Sequence, residues 1–82
     1  MNIERIDEPI RVVASFADGE MHPLRFRWGG RDYPIGRINA RWTDREADAP
    51  RLHFSVQVGE ETCYLHFDTA EVRWRLDQIV VP

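Results

Sequence analysis

From Arg51 to Asp68 the chain reads RLHFSVQVGEETCYLHFD, two runs of apolar and polar alternation on either side of Gly59-Glu60. Alternation with period two is what a strand with one buried face requires, and a two-residue turn fixes which residues oppose each other. With Gly59 and Glu60 as the turn, Leu52 meets Phe67, Phe54 meets Leu65 and Val56 meets Cys63 on the inner face. On the outer face Arg51 meets Asp68, His53 meets His66 and Ser55 meets Tyr64. Apolar pairs fall together and the charged pair is opposite in sign, so one register satisfies both faces.

The same period recurs upstream. Ile10, Val12, Ala14 and Phe16 alternate with more polar neighbours, and so do Leu24, Phe26 and Trp28 with Arg25 and Arg27. Asp18-Gly19 invites a two-residue turn between them, but that register opposes Phe16 to Met21 and puts the two core faces out of phase. An odd loop with a bulge at Gly19 is therefore expected. Gly29-Gly30 suits a type I′ turn that sets Phe26 against Tyr33, Leu24 against Ile35 and Arg27 against Asp32. The buried phase then switches from Tyr33 and Ile35 to Ile38, Ala40 and Trp42, which requires an extra residue near Gly36-Arg37 and bends the sheet.

The stretch Thr43 to Pro50, with Asp44, Glu46, Asp48 and Pro50, reads as a loop. Val72, Trp74 and Leu76 then alternate with Arg73, Arg75 and Asp77, and Ile79, Val80 and Val81 finish the strand or seal a barrel. No segment keeps a helical period. The expectation is an all-β single domain over residues 1–82: a small antiparallel, strongly curved sheet or SH3-like barrel of about six strands, whose closure hides its edges.

A chain of 82 residues permits one thin core, with roughly 64% of its surface buried on folding. At 43% apolar and 30% charged residues it has a globular balance, not that of a disordered chain. A single cysteine, Cys63, excludes an intrachain disulfide and a four-cysteine zinc site. With no signal-peptide pattern and no long apolar run, a soluble cytoplasmic protein is expected. Residues 23–45 carry six arginines against two aspartates, inside a chain of net charge −3. All 11 basic residues are arginine, which fits either contacts to phosphate or carboxylate or the codon bias of a GC-rich genome.

No glycine-rich phosphate loop, nucleophile elbow or His-Glu-X-X-His helix is present, and Cys63 falls among apolar neighbours where a thiol is inert. The chain is therefore expected not to be an enzyme and to need no cofactor. His53 and His66 come nearest to a metal site, but two ligands are too few and no carboxylate visibly joins them, so no metal is expected. Trp28, Trp42 and Trp74 all fall in the core phase of their strands. What remains is an outward surface with Arg41, His53 and His66 in one row, Asn39, Ser55 and Tyr64 in the next, and Arg37, Gln57 and Thr62 beyond. Arg37, Arg41, His53, Tyr64 and His66 are thus the candidate nucleic-acid-binding residues. A sequence pI near 5.5 weighs against a dedicated nucleic-acid binder and toward a solvated sheet face.

Pro9-Ile10-Arg11-Val12, Pro23-Leu24-Arg25-Phe26-Arg27-Trp28, Gly30-Arg31-Asp32-Tyr33-Pro34-Ile35, Trp42 and Trp74-Arg75-Leu76 together span nearly the whole chain. In these residues the sequence resembles a family of small bacterial domains of unknown function, some fused to or encoded near error-prone Y-family DNA polymerases. The resemblance implies a role near DNA repair or translesion synthesis and carries no catalytic residue. The expected function is a non-catalytic binding module, either a nucleic-acid-binding accessory or, alternatively, a protein-protein interaction module with an SH3-like barrel. Neither a membrane nor a small-molecule substrate is implied.

Overall fold

The computed structural model describes residues 1–45 and 48–82. Glu46 and Ala47, in the middle of the expected Thr43 to Pro50 loop, lie outside the described residues. The strands are β1 (Asn2–Ala17), β2 (Glu20–Trp28), β3 (Arg31–Pro34), β4 (Arg37–Asp44), β5 (Arg51–Val58), β6 (Glu61–Asp68) and β7 (Arg73–Val81). They form one antiparallel sheet in the order β3-β2-β1-β7-β6-β5-β4, curled into a half-barrel. No described helix is long and apolar enough to cross a membrane.

Two hairpins form in the expected register. β5 and β6 pair Leu52 with Phe67, Phe54 with Leu65 and Val56 with Cys63, and set His53 against His66 on the opposite face. β2 and β3 pair Phe26 with Tyr33 and Arg27 with Asp32 around Gly29 and Gly30, whose φ angles of 58° and 79° are those of a type I′ turn. The core lies on the concave side of the sheet. Phe26, Phe54, Val56, Cys63, Leu65, Leu76 and Ile79 are buried there, and Phe26 stacks on Tyr33 with ring centroids 5.1 Å apart. Each of the larger side chains contributes about 1.5–3 kcal/mol by leaving water.

Three expectations change. Among the described residues the strand count is seven, because the bent segment from Tyr33 to Trp42 is two strands, one on each edge of the sheet. Around Ile35 and Gly36 the chain passes from one edge to the other, tied by Ile35 N–H donating to Leu24 O and Gly36 N–H donating to Gln57 O. The bend is thus where the phase switch requires it. In addition, β1 starts at Asn2, and its first half pairs with β7 while its second half pairs with β2.

The Asp18-Gly19 connection is the two-residue turn after all, with Phe16 opposite Met21 and φ of 54° and 76° at Asp18 and Gly19. Phase is restored farther down the hairpin, by a bulge where Val13 pairs with Arg25 and Ala14 with Pro23. Pro23 has no N–H to give the ladder, so the irregularity settles beside it. Consequently Leu24 is the extra residue at 50% exposure, and Phe16 stands out on the hairpin tip at 75%. Neither belongs to the core that alternation assigned them to.

Candidate functional site

On the convex side of the sheet a row of side chains crosses four strands: Trp42, His53, His66 and Arg75. Trp42 reaches that row because β4 carries one extra residue. Ile38 pairs with Val56 but Ala40 pairs with Ser55, leaving Asn39 between them. Asn39 is held in place at both ends: Arg37 Nε donates to its Oδ1 at 2.8 Å and its Nδ2 donates to Gln57 Oε1 at 3.2 Å. Beyond this bulge the faces of β4 are exchanged. Trp42 therefore stacks on His53, with centroids 5.3 Å apart and planes 5° from parallel, and meets Tyr64 edge-on at 6.4 Å. It remains 45% exposed.

The same exchange turns Arg41 inward. Its guanidinium lies 5.7 Å from the Phe54 ring centroid, donates to Met21 O at 3.1 Å and sits 3.5 Å from Glu20 Oε2. Arg41 thus links β4 to the β1–β2 hairpin and is not part of the outward row in which the alternation placed it. Arg37 keeps its expected place opposite Gln57, and Tyr64 its place opposite Ser55. Four of the five sequence-derived candidates, Arg37, His53, Tyr64 and His66, share the convex face.

A second bulge brings in a carboxylate. Tyr64 pairs with Gln78 and Leu65 with Leu76, so Asp77 is the extra residue on β7, and it is also skipped in the β1 register. The bulge lets Leu76 and Ile79 both point into the core while Asp77 is aimed outward, the use bulges serve beside functional sites. A carboxylate only accepts, so His66 Nδ1–H donates to Asp77, at 2.7 Å from Oδ1 and 2.9 Å from Oδ2. His53 Nδ1 lies 4.0 Å from Asp77 Oδ2, and His53 Nε2 lies 4.0 Å from Asp44 Oδ2. Burial first, then His66 beside it, lower the pKa of the His53 imidazole against the opposite pull of Asp77 and Asp44. His53 is accordingly neutral at pH 7. Arg75, the cation of the row, is turned aside: its Nη2 donates to the Asp7 carbonyl oxygen and lies 3.3 Å from Asp7 Oδ1.

Sequence reasoning missed Trp42 as a member of this face, and it missed Asp77, which alternation does place outward with Arg73 and Arg75, as the carboxylate that joins the histidines. Asp77 had a signal, since Leu76 and Ile79 are three residues apart where a plain strand needs two or four. Trp42 had a weaker one in Asn39, a poor strand former inside an otherwise apolar and arginine alternation.

Elsewhere on the convex side, Arg11 opposes Arg27 across β1 and β2, and with Arg25 they line a groove of about 240 Å³. Only Asp32 offsets them there, 3.1 Å from Arg27. Like charges set opposite each other are unfavourable without an anion, so three arginines against one aspartate make this groove basic.

No protein-family model, no curated protein and no solved structure matches this chain.

Proposed function

We propose that the chain is a non-catalytic cytoplasmic binding module for single-stranded nucleic acid, with Trp42 as the platform on which a base stacks. The observation that carries this reading is the half-exposed Trp42 indole, held flat on His53 and braced edge-on by Tyr64. An aromatic side chain already fixed in orientation loses little entropy when a base lies on it, and base stacking contributes about 1–3 kcal/mol. Arg37 on the same strand, and Arg11, Arg25 and Arg27 around their groove, supply charge for the phosphate backbone. The net charge of −3 limits long-range attraction, so affinity is weak and falls steeply with salt. The resemblance to domains found with translesion polymerases favours DNA as the strand and DNA repair as the setting.

The test is a fluorescence titration with short single- and double-stranded DNA at low salt. Quenching of Trp42 by single strands, lost in Trp42→Ala and weakened in Arg37→Glu, is the expected result. Absence of binding at high micromolar protein, or binding that both substitutions leave unchanged, overturns the reading. A protein-interaction module then stands in front. That second reading is favoured by the edge positions of β3 and β4 and by the exposed Leu24 and Phe16, which an incoming strand or apolar segment would cover.

A further inference from the structure

We propose that His53, His66 and Asp77 bind one divalent transition-metal ion of the zinc class, through two imidazole nitrogens and a carboxylate oxygen. One donor atom from each lies within 4.8 Å of the others. Tetrahedral zinc with bonds of about 2.0–2.1 Å holds its donors about 3.3 Å apart. The His66 to Asp77 separations of 2.7 and 2.9 Å and the His53 to Asp77 separation of 4.0 Å straddle that value. A small swing of the His53 ring closes the set. The donors come from three adjacent strands, β5, β6 and β7, whose ladder bonds hold their backbones fixed.

The surroundings are those of a ligand set. Asp44 lies 4.0 Å from the far nitrogen of His53, within a small movement of the position from which an outer carboxylate orients a metal-bound imidazole. Trp42, stacked on His53, sets the plane of that ring. Arg75, which would repel a cation, is drawn off to Asp7. His66 is buried, whereas the side chains of His53 and Asp77 are 20% and 29% exposed, so an ion enters from solvent and keeps a position for water. Two nitrogen donors with one carboxylate select a transition metal over calcium or magnesium, which take oxygen ligands. Binding replaces the hydrogen bond between His66 and Asp77, and the ring nitrogen that takes the ion gives up its proton.

The experiment uses the whole chain after treatment with a chelator, titrated with zinc by calorimetry and with cobalt(II) by visible absorption. The expected result is saturation at about one ion per chain with a Kd of about 10 μM or tighter. The cobalt complex should show no thiolate charge-transfer band, because Cys63 is buried on the opposite face of the sheet. His53→Gln and Asp77→Asn should each weaken binding tenfold or more, and His22→Gln should leave it unchanged. His66 is buried and its replacement endangers the fold, so the decisive variants are the two more exposed ligands, with the circular dichroism spectrum of each checked first. Absence of saturable zinc binding up to about 1 mM overturns the proposal, as does binding that survives both His53→Gln and Asp77→Asn or is lost in His22→Gln. The measurement contains no nucleic acid, so its outcome is separate from that of the DNA titration.

Discussion

Trp42 lies on His53 with the two ring planes 5° from parallel, although alternation along β4 assigns Trp42 to the core. A single inserted residue, Asn39, makes the difference, and it simultaneously carries Arg41 to the inner side. The convex face thereby gains an aromatic platform and loses an arginine.

That exchange separates two arginines that sequence alone groups together. Arg41→Ala removes a hydrogen bond to Met21 O and a partly exposed ion pair with Glu20, and should lower stability by about 1 kcal/mol in a urea titration. It should leave DNA binding as it was, whereas Arg37→Glu should weaken binding, with a loss of about 0.5–1.5 kcal/mol from the exposed bond that Arg37 gives Asn39. The opposite pattern would place Arg41 on the ligand side.

Phe26 is 2% exposed and stacked on Tyr33. Phe26→Ala should cost about 3–5 kcal/mol, enough to leave much of so small a domain unfolded at 37 °C. Trp42→Ala, by contrast, removes a half-exposed ring and should cost no more than about 1.5 kcal/mol, consistent with a ring placed for contact instead of core packing. Thermal melts of the two variants should differ plainly. Equal losses would argue that Trp42 is structural.

Val72 has a φ of 55° and is 71% exposed, a β-branched residue in the left-handed region with little burial to offset the strain. Asp68 organises this turn, its Oδ1 accepting from the N–H groups of Ala70 and Glu71 at 2.9 and 3.0 Å. Replacing Val72 with Asn, which tolerates that backbone, should raise stability by about 1 kcal/mol and the melting temperature by a few degrees. A drop in melting temperature would mean that the turn carries no such strain.

Burial pushes the Cys63 thiol up to about 11, with a smaller contribution from Glu61. Since the folded value lies above the ordinary 9.0, the stabilisation of the neutral thiol is complete below pH 9 and is lost as pH rises from there through about 11. At pH 8 the native chain should react with a disulfide reagent many times more slowly than the same chain in urea. Rapid labelling of the native protein would place Cys63 outside the core.

The residues that were legible in the sequence sit next to tight turns. Gly59 and Gly29-Gly30 anchor their hairpins, and each pair outward from the turn reinforces the same register, from Val58 with Glu61 to Arg51 with Asp68. The His53 to His66 half of the site was visible for that reason. Bulges are different in kind. Those at Leu24, Asn39 and Asp77 each insert one residue whose position depends on what neighbouring strands need to bury, and one such insertion reverses every assignment beyond it. Trp42, Arg41 and Asp77 all lie at or beyond a bulge. The edge-to-edge passage at Gly36 was visible only as a bend, because alternation records which face a residue takes and not which strand lies beside it.

Residues 2 and 81 are ladder partners, so the strand order is that of a plain meander opened between β7 and β1. Reading onward from β4, each strand lies beside the next through β7, β1 and β2 to β3, and the turn near Gly36 joins the last back to the first. Joined near Gly36, the strands follow one another round the sheet, and the seam between β1 and β7 holds the contacts most distant along the chain. Sealing that seam demands the largest loss of chain entropy, which makes it the step most expected to set the folding rate. A rearranged gene that joined residues 1 and 82 by a short linker and began at Arg37 would keep every strand neighbour while making them all local, and should fold faster to the same sheet.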